Sequence, residues 1–262
     1  MTRARRSIAI LRVLLAGSLG VAAWGCQRGD STGPASPTTA LRVLFIGNSL
    51  TYSNDLPEMV RALAEASSTR TISTDMVAHP DFALVDHFTM SDALTKVREG
   101  RFDVVVLQQG PSSLAVNRDS LRIWSADWAA EIRAAGGWPA LYAVWPSEAN
   151  FSSFPAVHES YRLAADDVNG LFFPVGDTWL ATWQLREDAP LYDADQFHPG
   201  LAGSYAAAVV MVSVLTGRTP TSLATEFRMP TGLEVKFDEG IAEAIQLAAT
   251  EVLDRVGAQP VR

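Results

Sequence analysis

The sequence predicts an α/β protein whose core is a five-stranded parallel sheet covered by helices on both faces. Three observations predict it. Short apolar runs rich in branched side chains alternate with longer stretches of helical periodicity. The run 102–107 is nearly continuous in apolar residues, as a strand buried on both faces requires. Glycine or proline punctuates the ends of several segments. With 262 residues, 48% of them hydrophobic and 19% charged, the chain can bury one sizeable core and is neither disordered nor collagen-like. A formal charge of −8 offers no electrostatic footprint for a nucleic-acid backbone. The single cysteine cannot form an intramolecular disulfide, and neither it nor the four scattered histidines have zinc-ligand spacing.

The amino terminus reads as a targeting signal. Residues 1–26 carry Arg3, Arg5 and Arg6, then an apolar run interrupted by Arg12, then small residues before Cys26. The run is too short and broken for a permanent span, which needs about 20 apolar residues. The segment ending Trp24-Gly25-Cys26 resembles a bacterial lipobox, which implies acylation of Cys26 after cleavage; Gly25 fits that pattern and Trp24 does not. A plain signal peptide with an incidental cysteine is the alternative. Cleavage at Cys26 would remove four arginines and take the charge from −8 to −12. Residues 27–40, rich in Gly, Ser, Thr and Pro, form a tether. The expectation is therefore an exported domain, 41–262, whose link to a membrane is a lipid anchor alone, facing the periplasm or exterior.

Within the domain the elements follow in order. The first strand, 41–46, ends at Gly47, and a helix follows through Leu56, Met59, Val60 and Leu63, with Asn54 or Asp55 as its cap and Pro57 in its first turn. A weaker strand lies within 71–78, then a helical stretch runs through Leu84, Phe88, Leu94 and Val97 to Gly100. The central strand, 102–107, precedes a helix with Leu121, Trp124, Trp128 and Ile132. Two more rounds follow, with strands at 140–145 and 171–175 and helices at 156–168 and 178–185. Residues 201–215 read as a buried helix and 241–256 as a closing amphipathic one, joined by an irregular connection over 216–239. In such a sheet ligands bind beyond the carboxyl ends of the strands.

Three positions there carry chemistry. Ser49, two residues past the first strand, is a nucleophile or a cap. Asp195 and His198, three apart in one loop, allow the carboxylate to fix the imidazole tautomer and leave the second ring nitrogen for a proton; a surface loop or helix cap is the alternative. After the central strand, Gln108-Gln109-Gly110-Pro111-Ser112 offers amide donors to an oxyanion, or simply a turn.

Together these elements resemble the SGNH (GDSL-like) hydrolase superfamily. Gly47-Asn48-Ser49-Leu50 is similar to its first block, Asp195-Gln196-Phe197-His198-Pro199 to its last, and the central-strand block falls between them. The resemblance implies a three-layer flavodoxin-like α/β/α sandwich, no metal and no cofactor, and ester hydrolysis with Ser49 as nucleophile, His198 as base and Asp195 as orienter. It implies an oxyanion hole made by the Ser49 N–H, the Gln109 side chain and a backbone N–H at Asp81 or Phe82. Two departures stand out. The central block has no asparagine, so Gln109 takes that place, with Gln108 as second choice. The second block reads Ala78-His79-Pro80-Asp81-Phe82 without its usual glycine, which sets a carboxylate near a developing negative charge.

The expected partner is a small-molecule or glycan ester; the extracytoplasmic setting points to short acyl esters such as O-acetyl groups. An O-acyltransferase and a noncatalytic surface-anchored binding protein on the same scaffold are the alternatives. His79, His87 and His158, which lack a carboxylate and serine in comparable order, are expected to be structural. Trp145, Trp179 and Trp183 belong either to the core or to the pocket wall.

Overall fold

The computed structural model describes residues 40–238 and 240–257; the expected leader with Cys26 and the tether up to residue 39 lie outside the described residues. Five strands pair in parallel in the order β2-β1-β3-β4-β5, the flavodoxin-like arrangement. They are β1 (Leu41–Gly47), β2 (Ile72–Ala78), β3 (Val104–Leu107), β4 (Trp138–Ala143) and β5 (Leu171–Pro174). The order reverses between β1 and β3, so the crevice where ligands bind in such sheets opens between the ends of these two strands. Ser49 follows one of them and Gln109 the other. β1 and β3 are buried almost throughout, which explains their continuous apolar runs.

Helices form the outer layers. After β1 come a four-residue helix α1 (Ser49–Tyr52) and α2 (Leu56–Ala66); after β2, α3 (Leu84–Met90) and α4 (Ala93–Arg98). The later ones are α5 (Ala115–Ala134), α6 (Phe154–Asp167), α7 (Val175–Leu185), α8 (Leu201–Thr216) and α9 (Ile241–Val256). α3 to α6 pack side by side, and α2, α7, α8 and α9 form a second group. The continuous helix expected up to Gly100 is broken at Ser91, whose backbone is extended. The Ser91 hydroxyl donates to the His87 carbonyl and accepts from the Ala93 N–H, replacing a helical turn by local side-chain bonds. The irregular connection over 216–239 contains a 3-10 turn at Pro220–Ser222 and a two-stranded antiparallel ribbon, β6 (Phe227–Arg228) with β7 (Glu234–Val235).

α8 is buried on every face from Ala202 to Leu215, as its run of Ala and Val requires. It begins three residues after His198. A Cβ on Gly203 would stand 2.2 Å from the Leu191 carbonyl oxygen and 2.4 Å from the Trp179 ring. Gly203→Ala should therefore push α8 off the Leu191–Gly200 segment at a cost of about 1–3 kcal/mol, measured as a lower urea midpoint.

Candidate active site beyond the ends of the strands

The turn after β1 is braced by the side chain of Gln108, the first residue after β3. Gln108 is fully buried; its Oε1 accepts from the Asn48 N–H at 2.9 Å and the Thr51 hydroxyl at 2.7 Å. Its Nε2 donates to Asn48 Oδ1 and to the Gln109 carbonyl. Both amide protons are thus spent, and Gln108 is a strut with no donor left for an oxyanion. A side chain at Gly47 would lie 2.3 Å from the Thr51 hydroxyl and 2.4 Å from Gln108 Oε1, so this turn requires glycine. Asn48 caps α1 by accepting from the Leu50 N–H, which relieves Ser49 of the capping duty its position also suits. Ser49 is half-buried, and its N–H lies in the first helical turn, where backbone donors have no intrahelical partner. Among the described residues its hydroxyl makes no hydrogen bond, to His198 or to any other group. Such contacts often tighten only when substrate is bound.

The Asp195–His198 loop brings a carboxylate and an imidazole together. Asp195 Oδ1 accepts the N–H groups of Phe197 and His198 at 3.0 and 2.9 Å, and Oδ2 meets His198 Nδ1 at 2.5 Å. One carboxylate therefore closes the turn with one oxygen and orients the imidazole with the other, which is why the two residues stand three apart. The three bonds, that from the imidazole foremost, hold the Asp195 carboxyl down at about 2. Asp195 is then an anion wherever an imidazole titrates, and Nε2 is left for proton exchange. The loop hangs on β4: the Trp145 indole N–H donates to the Phe197 carbonyl at 2.9 Å, and the Glu148 N–H donates to the Gln196 carbonyl.

Trp145 is fully buried and stacked on Trp179, with ring centroids 3.7 Å apart. These two indoles are core, and Trp145 uses its one polar atom on the loop; Trp183 is half-buried beside Tyr192. Nothing in the sequence marked Trp145 as an anchor, because its partner lies 52 residues away.

The remaining site elements have mixed exposure. Gln109 is 4% exposed; its Nε2 donates to the Ser112 hydroxyl at 2.8 Å and its Oε1 accepts from the Leu84 N–H. One amide proton remains, and a Cβ at neighbouring Gly110 would meet open space. Asp81 is exposed and has φ +62°, the left-handed conformation that glycine would ordinarily take in that turn. Asn54, Asp55, Ser112 and Gln196 share that conformation, so five of the seven non-glycine residues with positive φ among those described follow β1, β2 and β3 or lie within the Asp195–His198 loop. Strain of this kind, about 1–3 kcal/mol per residue, collects at functional sites.

The other histidines divide. His87 is buried, its Nε2 against the Gly47 carbonyl at 2.8 Å, and burial lowers its pKa; it supports the turn that carries Ser49 as a neutral ring. His79 is exposed and stacks on His87. His158, expected to lack a carboxylate, has one: Nδ1 meets Asp177 Oδ2 at 2.7 Å. The partner lies 19 residues on, at the start of α7, where only the fold brings it close. Among the described residues no hydroxyl is hydrogen-bonded to this second pair.

No family model and no curated protein matches the chain. Solved structures do. A protein described as an SGNH hydrolase from Slackia heliotrinireducens is 28% identical, with a TM-score of 0.56 over 66% of this chain and 98% of its own. A DUF4886 family protein from Bacteroides uniformis is 17% identical, with a TM-score of 0.64 over 84% and 97%. An acetyl xylan esterase, AlAXEase, is 16% identical, with a TM-score of 0.53 over 66% and 98%. The 2-1-3-4-5 parallel sheet with an Asp–His pair in the loop before α8 defines a flavodoxin-like α/β hydrolase scaffold. More particularly, the chain is an SGNH-like hydrolase.

The second His–Asp pair has a pH signature. The Asp177 bond raises the His158 pKa, so its contribution to stability is complete below the unfolded value near 6.5 and is lost as pH rises through the folded one. Asp177→Asn should therefore lower the melting temperature more at pH 5.5 than at pH 9, as scanned by circular dichroism.

Proposed function

We propose that the chain is an exported serine esterase that hydrolyses short acyl esters, with O-acetyl groups on carbohydrates as the leading substrate class. The observation that carries this reading is the 2.5 Å bond between Asp195 Oδ2 and His198 Nδ1, in the loop before α8 of an SGNH-like sheet. The likeness to a solved acetyl xylan esterase supports the choice of acetyl esters as first test.

In the proposed reaction Ser49 Oγ attacks the ester carbonyl while His198 Nε2 takes its proton. The oxyanion is met by the Ser49 N–H, a backbone N–H at Asp81 and the Gln109 amide; one donor of this kind is worth about 3 kcal/mol in a related site. The imidazolium then gives its proton to the leaving alcohol. Water, deprotonated by the same nitrogen, attacks the acyl-serine, releases the acid and restores the hydroxyl. At Asp81 the positive φ supports a backbone donor, since it gives the residue the turn a glycine would make.

Ser49→Ala should lower turnover of p-nitrophenyl acetate by roughly 10³-fold or more, with an unchanged melting temperature, and should abolish stoichiometric labelling by a serine-reactive phosphonate. Full activity in this variant removes Ser49 as nucleophile. Wild type that neither labels nor turns over ester would make the domain a binding protein. Product analysis with an added alcohol separates hydrolysis from acyl transfer.

Export and anchoring through Cys26 belong to the same proposal and rest on the leader alone. Expressed in a bacterial host with radiolabelled palmitate, the wild type should incorporate label and Cys26→Ser should not; an unlabelled wild type reduces the leader to a plain signal peptide.

A further inference from the structure

The proposed nucleophile and its base come from opposite ends of the domain, and a catalytic distance between them needs a tie. Trp145 and Glu148 fasten the His198 loop to the segment after β4, and Tyr142 of β4 donates to the Leu50 carbonyl beside Ser49, so this route between the two passes through the sheet. The direct tie comes from Asn54, five residues after Ser49. Its Nδ2 donates to the Pro199 carbonyl and to the Ser204 hydroxyl, each at 2.9 Å and across 145 and 150 residues. Both amide protons are thereby used, and one of them holds the peptide next to His198. Among the described residues these are the side-chain hydrogen bonds that join the segment 49–55 to the segment from Asp195 to the first turn of α8.

A second observation concerns the backbone. Asn54 and Asp55 both lie in the left-handed region, at φ +54° and +52°, although neither is glycine. Consecutive L-residues adopt that conformation only where surrounding contacts hold them. Capping is not the contact: Asp55 stands at the N-cap of α2 without a side-chain bond to it, and the Asn54 amide points to Pro199 and Ser204 instead. The turn is bent to deliver a carboxamide across to the His198 loop, where the Pro199 carbonyl would otherwise lose this partner in a largely buried place.

We propose that Asn54 is a positioning residue that clasps the nucleophile segment to the His198 loop and thereby sets the distance and direction between the Ser49 hydroxyl and His198 Nε2. This rests on the serine-esterase reading of the site. Asn54 touches no reacting atom; it acts through the Pro199 peptide, and its loss leaves both halves folded but free to drift.

Two variants test it. Asn54→Gly keeps the left-handed backbone and removes the amide; Asn54→Asp keeps the shape and cannot donate. Both should lower kcat on p-nitrophenyl acetate by roughly 10- to 100-fold, as misplacement of about 1 Å does, with KM close to wild type and a modestly lower melting temperature from the unpaired Pro199 carbonyl. In an Asp195→Asn background the same substitutions should cost much less, because the imidazole is then already misoriented. An unchanged kcat, or an equal loss in both backgrounds, overturns the clasp. A readout independent of turnover is the downfield proton on His198 Nδ1, assigned by its disappearance in Asp195→Asn. Its solvent exchange should be faster in both Asn54 variants, and an unaltered rate also overturns the clasp. If the wild type hydrolyses no ester, the esterase reading fails and this proton still decides whether Asn54 holds the loop.

Discussion

The constraint on which the site depends is the grip of Gln108 on the turn after β1. A fully buried carboxamide has four hydrogen-bonding capacities, and leaving any one unpaired in the core is costly. Here all four are met, three of them by Asn48 and Thr51. The bonds run between the two central strands at the place where the sheet changes winding direction, so the turn carrying Ser49 cannot shift unless β3 shifts with it. Gly47 follows from the same contact, because the carboxamide and the Thr51 hydroxyl occupy the space of a Cβ. His87, neutral and buried, completes the support from the opposite side by bonding the Gly47 carbonyl.

Much of this was legible in the sequence, and the reasons differ by element. The strands were readable because parallel strands buried on both faces must be apolar throughout, as 104–107 are. The α9 boundaries coincide with the periodic stretch because Gly257 gives it a left-handed stop. The pairing of Asp195 with His198 was legible because its geometry is local: four residues close one turn. What escaped was every interaction whose partners are distant in sequence. The bond from Trp145 to Phe197, the pairing of His158 with Asp177 and the role of Gln108 as strut each join segments that no local pattern connects. The break at Ser91 escaped for the opposite reason, since one hydroxyl outweighed a helical periodicity that continued across it.

The turn after β2 shows how a left-handed backbone can be held without glycine. Asp81 takes a positive φ, a conformation that aspartate tolerates better than most L-residues. The exposed carboxylate carries its charge at the surface, where solvent screens it. The solved structures that the chain resembles, at 16–28% identity, share its fold.

The carboxylate and the imidazole arise from one tetrapeptide, bonded to each other and to the peptide between them. Carboxylate and imidazole therefore travel as one unit. Under the proposed esterase reading, movement of the segment ahead of α8 would change the path from the Ser49 hydroxyl yet leave the bond that orients the ring intact. In a scaffold whose carboxylate and imidazole came from separate loops, the same fluctuation would part them; here the ring keeps its orientation while the loop moves.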